Sequence, residues 1–137
     1  MHPASTQNTE HYNWGAGCDG WHLLKGDDLS VIEERMPPGT AEQRHRHARS
    51  RQFFYVLAGE VTLELEGEVH RLQRGEGLHV PPGAAHQVRN DSDADVQFLV
   101  VSAPRSHGDR VAASPHEGDI LPGRRPPSLK PPQNDMK

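Results

Sequence analysis

The sequence predicts an all-β protein folded as a single antiparallel sandwich or barrel, and three observations support this. Apolar and polar residues alternate in short runs through the middle of the chain. Gly and Pro punctuate those runs at close intervals, which is how turns between strands are written. At 137 residues the chain is one domain long, with room for one modest core. Many short strands with such punctuation form antiparallel sheets and not helical layers.

The elements follow in order. Residues 29–36 (Leu-Ser-Val-Ile-Glu-Glu-Arg-Met) read as a strand, stopped by the turn signal Pro37-Pro38-Gly39. Residues 52–58 form a second strand, closed by Gly59. Val61, Leu63 and Leu65 alternate with Thr62, Glu64 and Glu66, the pattern of a half-buried strand. Glu66-Gly67-Glu68 suits a tight reversal into Val69–Leu72. Residues 78–80, 86–90 and 96–102 supply three more strands. This divides the chain into an arm (1–28), the barrel proper (29–105) and a Pro-rich tail (106–137). The tail holds Pro115, Pro122, Pro126, Pro127, Pro131 and Pro132, half of the chain's 12 prolines, so it reads as a solvated extension.

Composition narrows the function classes. A formal charge of −4 leaves no basic footprint for nucleic acid. No apolar run is long enough to cross a membrane as a helix. The start of the chain lacks a basic segment followed by an apolar one, so no secretory signal is expected. Cys18 is the single cysteine, which excludes an intrachain disulfide and fits a reducing cytoplasm.

Histidine carries the chemistry. His45 and His47 stand two apart in an extended context, so both side chains share one face of a strand at chelating distance. Gln52 follows five residues later, and His86 belongs to a second stretch that can fold beside the first. Neutral imidazoles are good ligands for divalent Zn, Fe, Ni, Mn or Cu, and a barrel wall places them rigidly.

Two spaced motifs give these residues a family resemblance. Gly39, His45, His47, position 52 and Gly59 keep the spacing G-x5-H-x-H-x3–4-E-x6-G; Gly75, Pro81, Gly83, His86 and Asn90 keep G-x5-P-x-G-x2-H-x3-N. In both, the sequence resembles the cupin superfamily, over residues 39–90 and by extension about 30–102. One position departs from the pattern, because Gln52 stands where Glu is usual. The resemblance implies a cupin β-barrel of the jelly-roll type, binding one divalent metal ion through His45, His47, His86 and Gln52. A His/His/Gln/His set is similar to that of cupins that linearise unsaturated uronates, and some polyketide cyclase cupins also use an amide ligand. Other small cupins are dioxygenases, lyases or sugar-phosphate isomerases, so fold alone does not choose the reaction.

The Gln has a chemical consequence. Three imidazoles and an amide are all neutral, so the ion would keep its double charge and act as a strong Lewis acid. That favours an isomerase, lyase or cyclase acting on a small polar molecule that contains a carbonyl, and a site of this charge also suits an anionic one. A mononuclear iron or copper dioxygenase is the alternative, and a binding module without turnover is the third reading. Gly39, Gly59, Gly75, Pro81, Gly83 and Asn90 are expected to shape turns and not to touch substrate.

A second tier could line the pocket. If Gln52 faces inwards, Phe54 and Val56 do too. Arg35, Arg49 and Arg51 lie near the first motif and could clamp an anion, although a solvated charge is the commoner role. His79, two residues before Pro81, is a candidate acid or base. Trp14, Trp21 and His22 belong to the arm, where a pocket lid and a subunit contact are comparable expectations. With the Trp-bearing arm, Val61, Leu63 and Leu65 offer apolar surface for a homodimer.

Overall fold

The computed structural model describes residues 2–106 and 108–114. Every regular element among them is a β-strand: β1 (Glu10–Trp14), β2 (Cys18–Lys25), β3 (Ser30–Met36), β4 (His45–His47), β5 (Arg51–Ala58), β6 (Glu60–Leu65), β7 (Glu68–Gln73), β8 (Gly77–Val80), β9 (His86–Arg89), β10 (Val96–Ala103) and β11 (Arg110–Ala112). They form two antiparallel sheets facing each other. One has six strands in the order β1-β2-β3-β10-β5-β8, the other five in the order β11-β4-β9-β6-β7. The seven strands read from residues 29–102 are all present. No helix of the described residues is long and apolar enough to cross a membrane.

The sheet extends past both ends of the 29–105 segment. The arm supplies β1 and β2, with β2 pairing along β3 from Asp19↔Arg35 to Lys25↔Ser30. At the other end β11 pairs with β4, Arg110 opposite His47. The remainder of the Pro-rich tail, from residue 115, lies outside the described residues.

Period-two alternation decides what lies between the sheets. On β3, Ser30, Ile32, Glu34 and Met36 are buried while the residues between them are not. On β10 the inner set is Val96, Phe98, Val100 and Ser102, and on β5 it is Gln52, Phe54 and Val56. These pack with Val61, Leu63, Val80 and Val88 into one core. Val61 and Leu63 are fully buried there, so they are core and not the pairing surface expected of them. Thr62 and Glu64 are buried on the other face of β6. Arg44 explains Glu64, because its guanidinium donates to both carboxylate oxygens at 2.6 and 3.1 Å. That pairing and the Gly67 N–H hold the Glu64 carboxyl below its ordinary pKa against the opposing effect of desolvation.

Asn90 fastens three chain segments where β9 ends. Its Nδ2 donates to the carbonyls of Met36 and Ala94, both at 2.8 Å, and its Oδ1 accepts from the N–H and hydroxyl of Ser92. The side chain is fully buried. Asn90→Ala would leave the buried Met36 carbonyl and the partly buried Ala94 carbonyl without that donor, and should cost about 2 kcal/mol. A denaturant midpoint unchanged from wild type would show that the turn holds without it.

Candidate metal centre

Three histidines meet between the sheets. On β4, His45 and His47 point inwards and are buried, while Arg46 between them is exposed. His86 on β9 is the registered neighbour of His45. Their candidate ligand atoms all lie within 4.8 Å of one another. The ring centroids of His45 and His86 are 4.4 Å apart, and those of His45 and His47 4.8 Å.

Hydrogen bonds set the ring orientations. His45 Nδ1 lies 2.8 Å from the Gln43 carbonyl oxygen and His86 Nδ1 lies 3.0 Å from that of Ala84. A carbonyl can only accept, so each Nδ1 carries the proton and each Nε2 keeps a lone pair. The Nε2 atoms of His45 and His47 are 3.1 Å apart. Two nitrogens bound to one ion at about 2.0–2.1 Å, at tetrahedral or octahedral angles, stand about 3 Å apart. The donor set therefore fits a divalent ion.

Electrostatics agrees with ligation. Burial pushes the His45 imidazole from 6.5 to about 3, with His86 and Arg110 adding to the effect and Glu42 opposing it. Burial, then His86, lowers His47 to about 4. Both rings are neutral near pH 7, as metal ligands must be. The same depression gives a stability prediction for metal-free protein. Below 6.5 the unfolded chain takes up protons that the folded chain refuses, so this contribution is present above pH 6.5 and lost as pH falls towards 4 and 3. Chelator-treated protein should show a falling denaturant midpoint between pH 7 and 5; a flat profile would contradict these environments.

Gln52 enters the interior from the opposite sheet and is buried. Its Nε2 donates to Ser102 Oγ at 3.0 Å, across a registered β5–β10 pair. That bond turns the amide so that Oε1 makes no hydrogen bond, which leaves an acceptor atom for an ion or its water. Phe54, two residues on, packs its ring 6.0 Å from that of His86 and forms part of the apolar wall.

The other pocket candidates are not brought to the histidines. Arg35 lies on the outer face of β3, paired with Asp19 and, at 3.0 Å, with Asp95. Arg51 and His79 are exposed, each one residue out of phase with a buried neighbour, Gln52 and Val80. Arg49 instead lines a cleft of about 500 Å³ with Asp27, Pro104, Arg105, Gly108 and Asp109. The cleft adjoins His47, because Asp109 receives the N–H groups of Arg49 and Ser50 at 2.8 and 2.7 Å and also acts electrostatically on the His47 ring.

Sequence reasoning missed two buried carboxyl groups of the interior, Glu42 and Glu34. Glu42 is buried with a carboxylate oxygen 3.6 Å from His45 Nδ1 and 3.3 Å from the Val88 N–H. It acts electrostatically on the His45 ring from behind, opposing the effect of burial there. Nothing in its spacing signals this, since it lies in the loop before β4. Glu34 was legible in principle: it shares the inner phase of β3 with Ile32 and Met36.

The Cupin_2 family profile, described as a cupin domain, matches residues 32–102. An uncharacterized protein of Methanocaldococcus jannaschii, MJ1618, is 28% identical over 89 residues, covering 64% of this chain and 71% of that one. Quercetin 2,3-dioxygenase of Bacillus subtilis is 29% identical over 119 residues, covering 76% of this chain but only 35% of the dioxygenase. SchB of Streptomyces halstedii is 33% identical over 67 residues, and the chain spans 49% of its length. Among solved structures, KdgF from Halomonas sp. superposes with a TM-score of 0.71 at 22% identity, covering 78% of this chain and 96% of KdgF. The polyketide cyclase RemF from Streptomyces resistomycificus gives 0.70 at 20% identity, covering 85% and 89%. At such identities the structural likeness shows the fold alone.

Proposed function

This chain belongs to the cupin family, and we propose that it is a metal-dependent isomerase, lyase or cyclase acting on a small polar molecule that carries a carbonyl. His45, His47 and His86 would hold one divalent ion, with Gln52 as the fourth ligand. When bound, the ion supplies Lewis-acid polarisation of a carbonyl or hydroxyl oxygen. The observation that carries the proposal is the donor set: His45 and His47 imidazoles kept neutral by burial, and an amide whose Oε1 makes no hydrogen bond.

The chain's own residues support the rest of this reading. Phe54 and the core around it keep water from the interior side of the site. Arg49 and Arg105 place cations at the cleft beside His47, where a carboxylate or phosphate of the substrate would meet them. Ring-forming chemistry stays among the options because RemF, described as a polyketide cyclase, shares the fold. The second reading is a mononuclear iron or copper dioxygenase, favoured by the match to quercetin 2,3-dioxygenase over 76% of this chain.

The two readings separate in one assay. Protein reloaded with zinc should convert a carbonyl substrate drawn from a panel of keto and hydroxy-keto acids without consuming oxygen. Oxygen uptake that requires iron or copper, with zinc protein inert, would overturn the Lewis-acid reading in favour of the second. We further propose a homodimer through the outer face of the six-stranded sheet. There Phe53 and Tyr55, exposed at 42% and 38%, lie in register with Val101 and Leu99. A monomer mass in sedimentation at micromolar concentration would reject it.

A further inference from the structure

The strand that carries two of the three histidines is held largely by chain from outside the family match. β4 spans three residues, and among the described residues it has one registered pair with β9, His45↔His86. The Gly83 N–H adds a bond to the His47 carbonyl at 2.7 Å. Its other edge is taken by residues beyond 102, where the cupin profile ends. There β11 sets Ala112, Val111 and Arg110 opposite His45, Arg46 and His47. The contact continues past β11 at both ends. One Asp109 carboxylate oxygen accepts the N–H groups of Arg49 and Ser50, just after His47. Ala113 donates its N–H to the Arg44 carbonyl at 3.0 Å, just before His45. The Arg44 guanidinium, paired with Glu64 on β6, also donates to the Ser114 carbonyl. Residues 109–114 therefore run along the whole of β4 and fasten it at both ends.

Within this strap one side chain reaches the support of a ligand. Arg110 Nη2 donates to the Gln43 carbonyl oxygen at 3.1 Å, and the same oxygen lies 2.8 Å from His45 Nδ1. A carbonyl oxygen has two lone pairs, so it can serve the imidazole and the guanidinium together. Gln43 lies in the loop before β4, so no strand ladder aims its carbonyl. The direction of that carbonyl in turn sets the orientation and tautomer of the His45 ring. The charge of Arg110 has the opposite tendency. It makes both the His45 and His47 rings weaker bases, and by itself would loosen their hold on a cation. Positioning and charge thus predict effects of opposite sign.

We propose that Arg110 is a positioning residue of the metal centre, holding the His45 ring in its ligating orientation through the Gln43 carbonyl, with residues 109–114 as the strap that presents it. The inference rests on the reading of the three histidines as ligands. It extends the metal site beyond the segment that the cupin profile covers.

The test is zinc affinity, measured by competition with a chromophoric chelator on the full chain and three variants. Arg110→Met keeps an aliphatic stem and removes donor and charge; zinc affinity should fall about tenfold, the usual loss when a ligand's orienting partner is removed. Arg110→Lys keeps the charge and a donor on a flexible stem, and should recover most of that loss. Val111→Thr, at an exposed position of the same strand, should match wild type. Cobalt-loaded protein gives a second readout: the visible bands of Arg110→Met should differ from wild type, and those of Val111→Thr should not. Unchanged zinc affinity or unchanged cobalt bands in Arg110→Met, whatever its Tm, would make the residue a brace of β11 and overturn the inference. Tighter zinc binding in Arg110→Met would overturn it too, because charge would then be the dominant effect. So would a loss that Arg110→Lys does not relieve or that Val111→Thr shares, since either marks a general loosening of the strap. Wild type that takes up no zinc is a separate failure, that of the ligand assignment, and would remove this inference with it.

Discussion

His47→Ala should abolish the metal-dependent part of the protein's thermal stability. Ligation stabilises only the folded chain, by about 2.7–4 kcal/mol when free metal exceeds Kd by 100- to 1,000-fold. For a chain of this size that corresponds to roughly 10 °C in Tm. The imidazole is also buried, so its removal costs packing independently of any ion. The two effects separate when melts are recorded with and without chelator. Wild type should lose stability on chelation, whereas His47→Ala should start lower and not respond. A variant whose Tm still fell by the wild-type amount on chelation would place the ion elsewhere.

The second large effect concerns Gln52. If the Gln52 amide is the fourth donor, as proposed, the ligands contribute no charge, and the side chain of Glu42 stands behind His45 without entering the set. Gln52→Glu adds one negative charge at the ion itself. Metal affinity should hold or tighten, while turnover by polarisation should fall about tenfold or more and a simple anion such as oxalate should bind more weakly. Ser102 can accommodate the change, because its hydroxyl accepts from the amide and can rotate to donate to a carboxylate. Unchanged turnover together with unchanged oxalate affinity would show that the amide acts only as a hydrogen-bonder. Gln52→Ala divides the remaining cases: loss of a true ligand should weaken metal binding roughly tenfold or more.

How far the sequence was legible depends on which residues carry a pattern. His45, His47 and His86 were legible because period two fixes the face of the first pair and the turn motif fixes the third. The strands from β3 to β10, apart from β4, were legible for the same reason, each having an apolar phase; β4 is His-Arg-His and was read only as an extended context. β2 was not read as a strand because its inner positions include Gly20 and His22, which break the apolar alternation, and β1 has only two inner positions, Tyr12 and Trp14, too few to show a period. β11 spans three residues and presents no apolar face. Arg35, Arg51 and His79 were drawn to the site by closeness in sequence, but each is one residue out of phase with an inward neighbour. Sequence distance says little here; strand phase says which side a residue faces. Glu42 lies in a loop, where no phase exists to read, and hydrogen bonds with Val88 on β9 in both directions, beside the bridge Ala41↔Arg89, hold it near His45.

The central claim, that His45, His47 and His86 hold one ion, is tested most directly by elemental analysis of protein purified without added metal and then loaded to saturation with zinc. The account predicts one equivalent per chain in wild type and none in the variant with all three histidines replaced by alanine, checked to be folded by circular dichroism. A folded triple variant that still retained one equivalent at the wild-type affinity would contradict it.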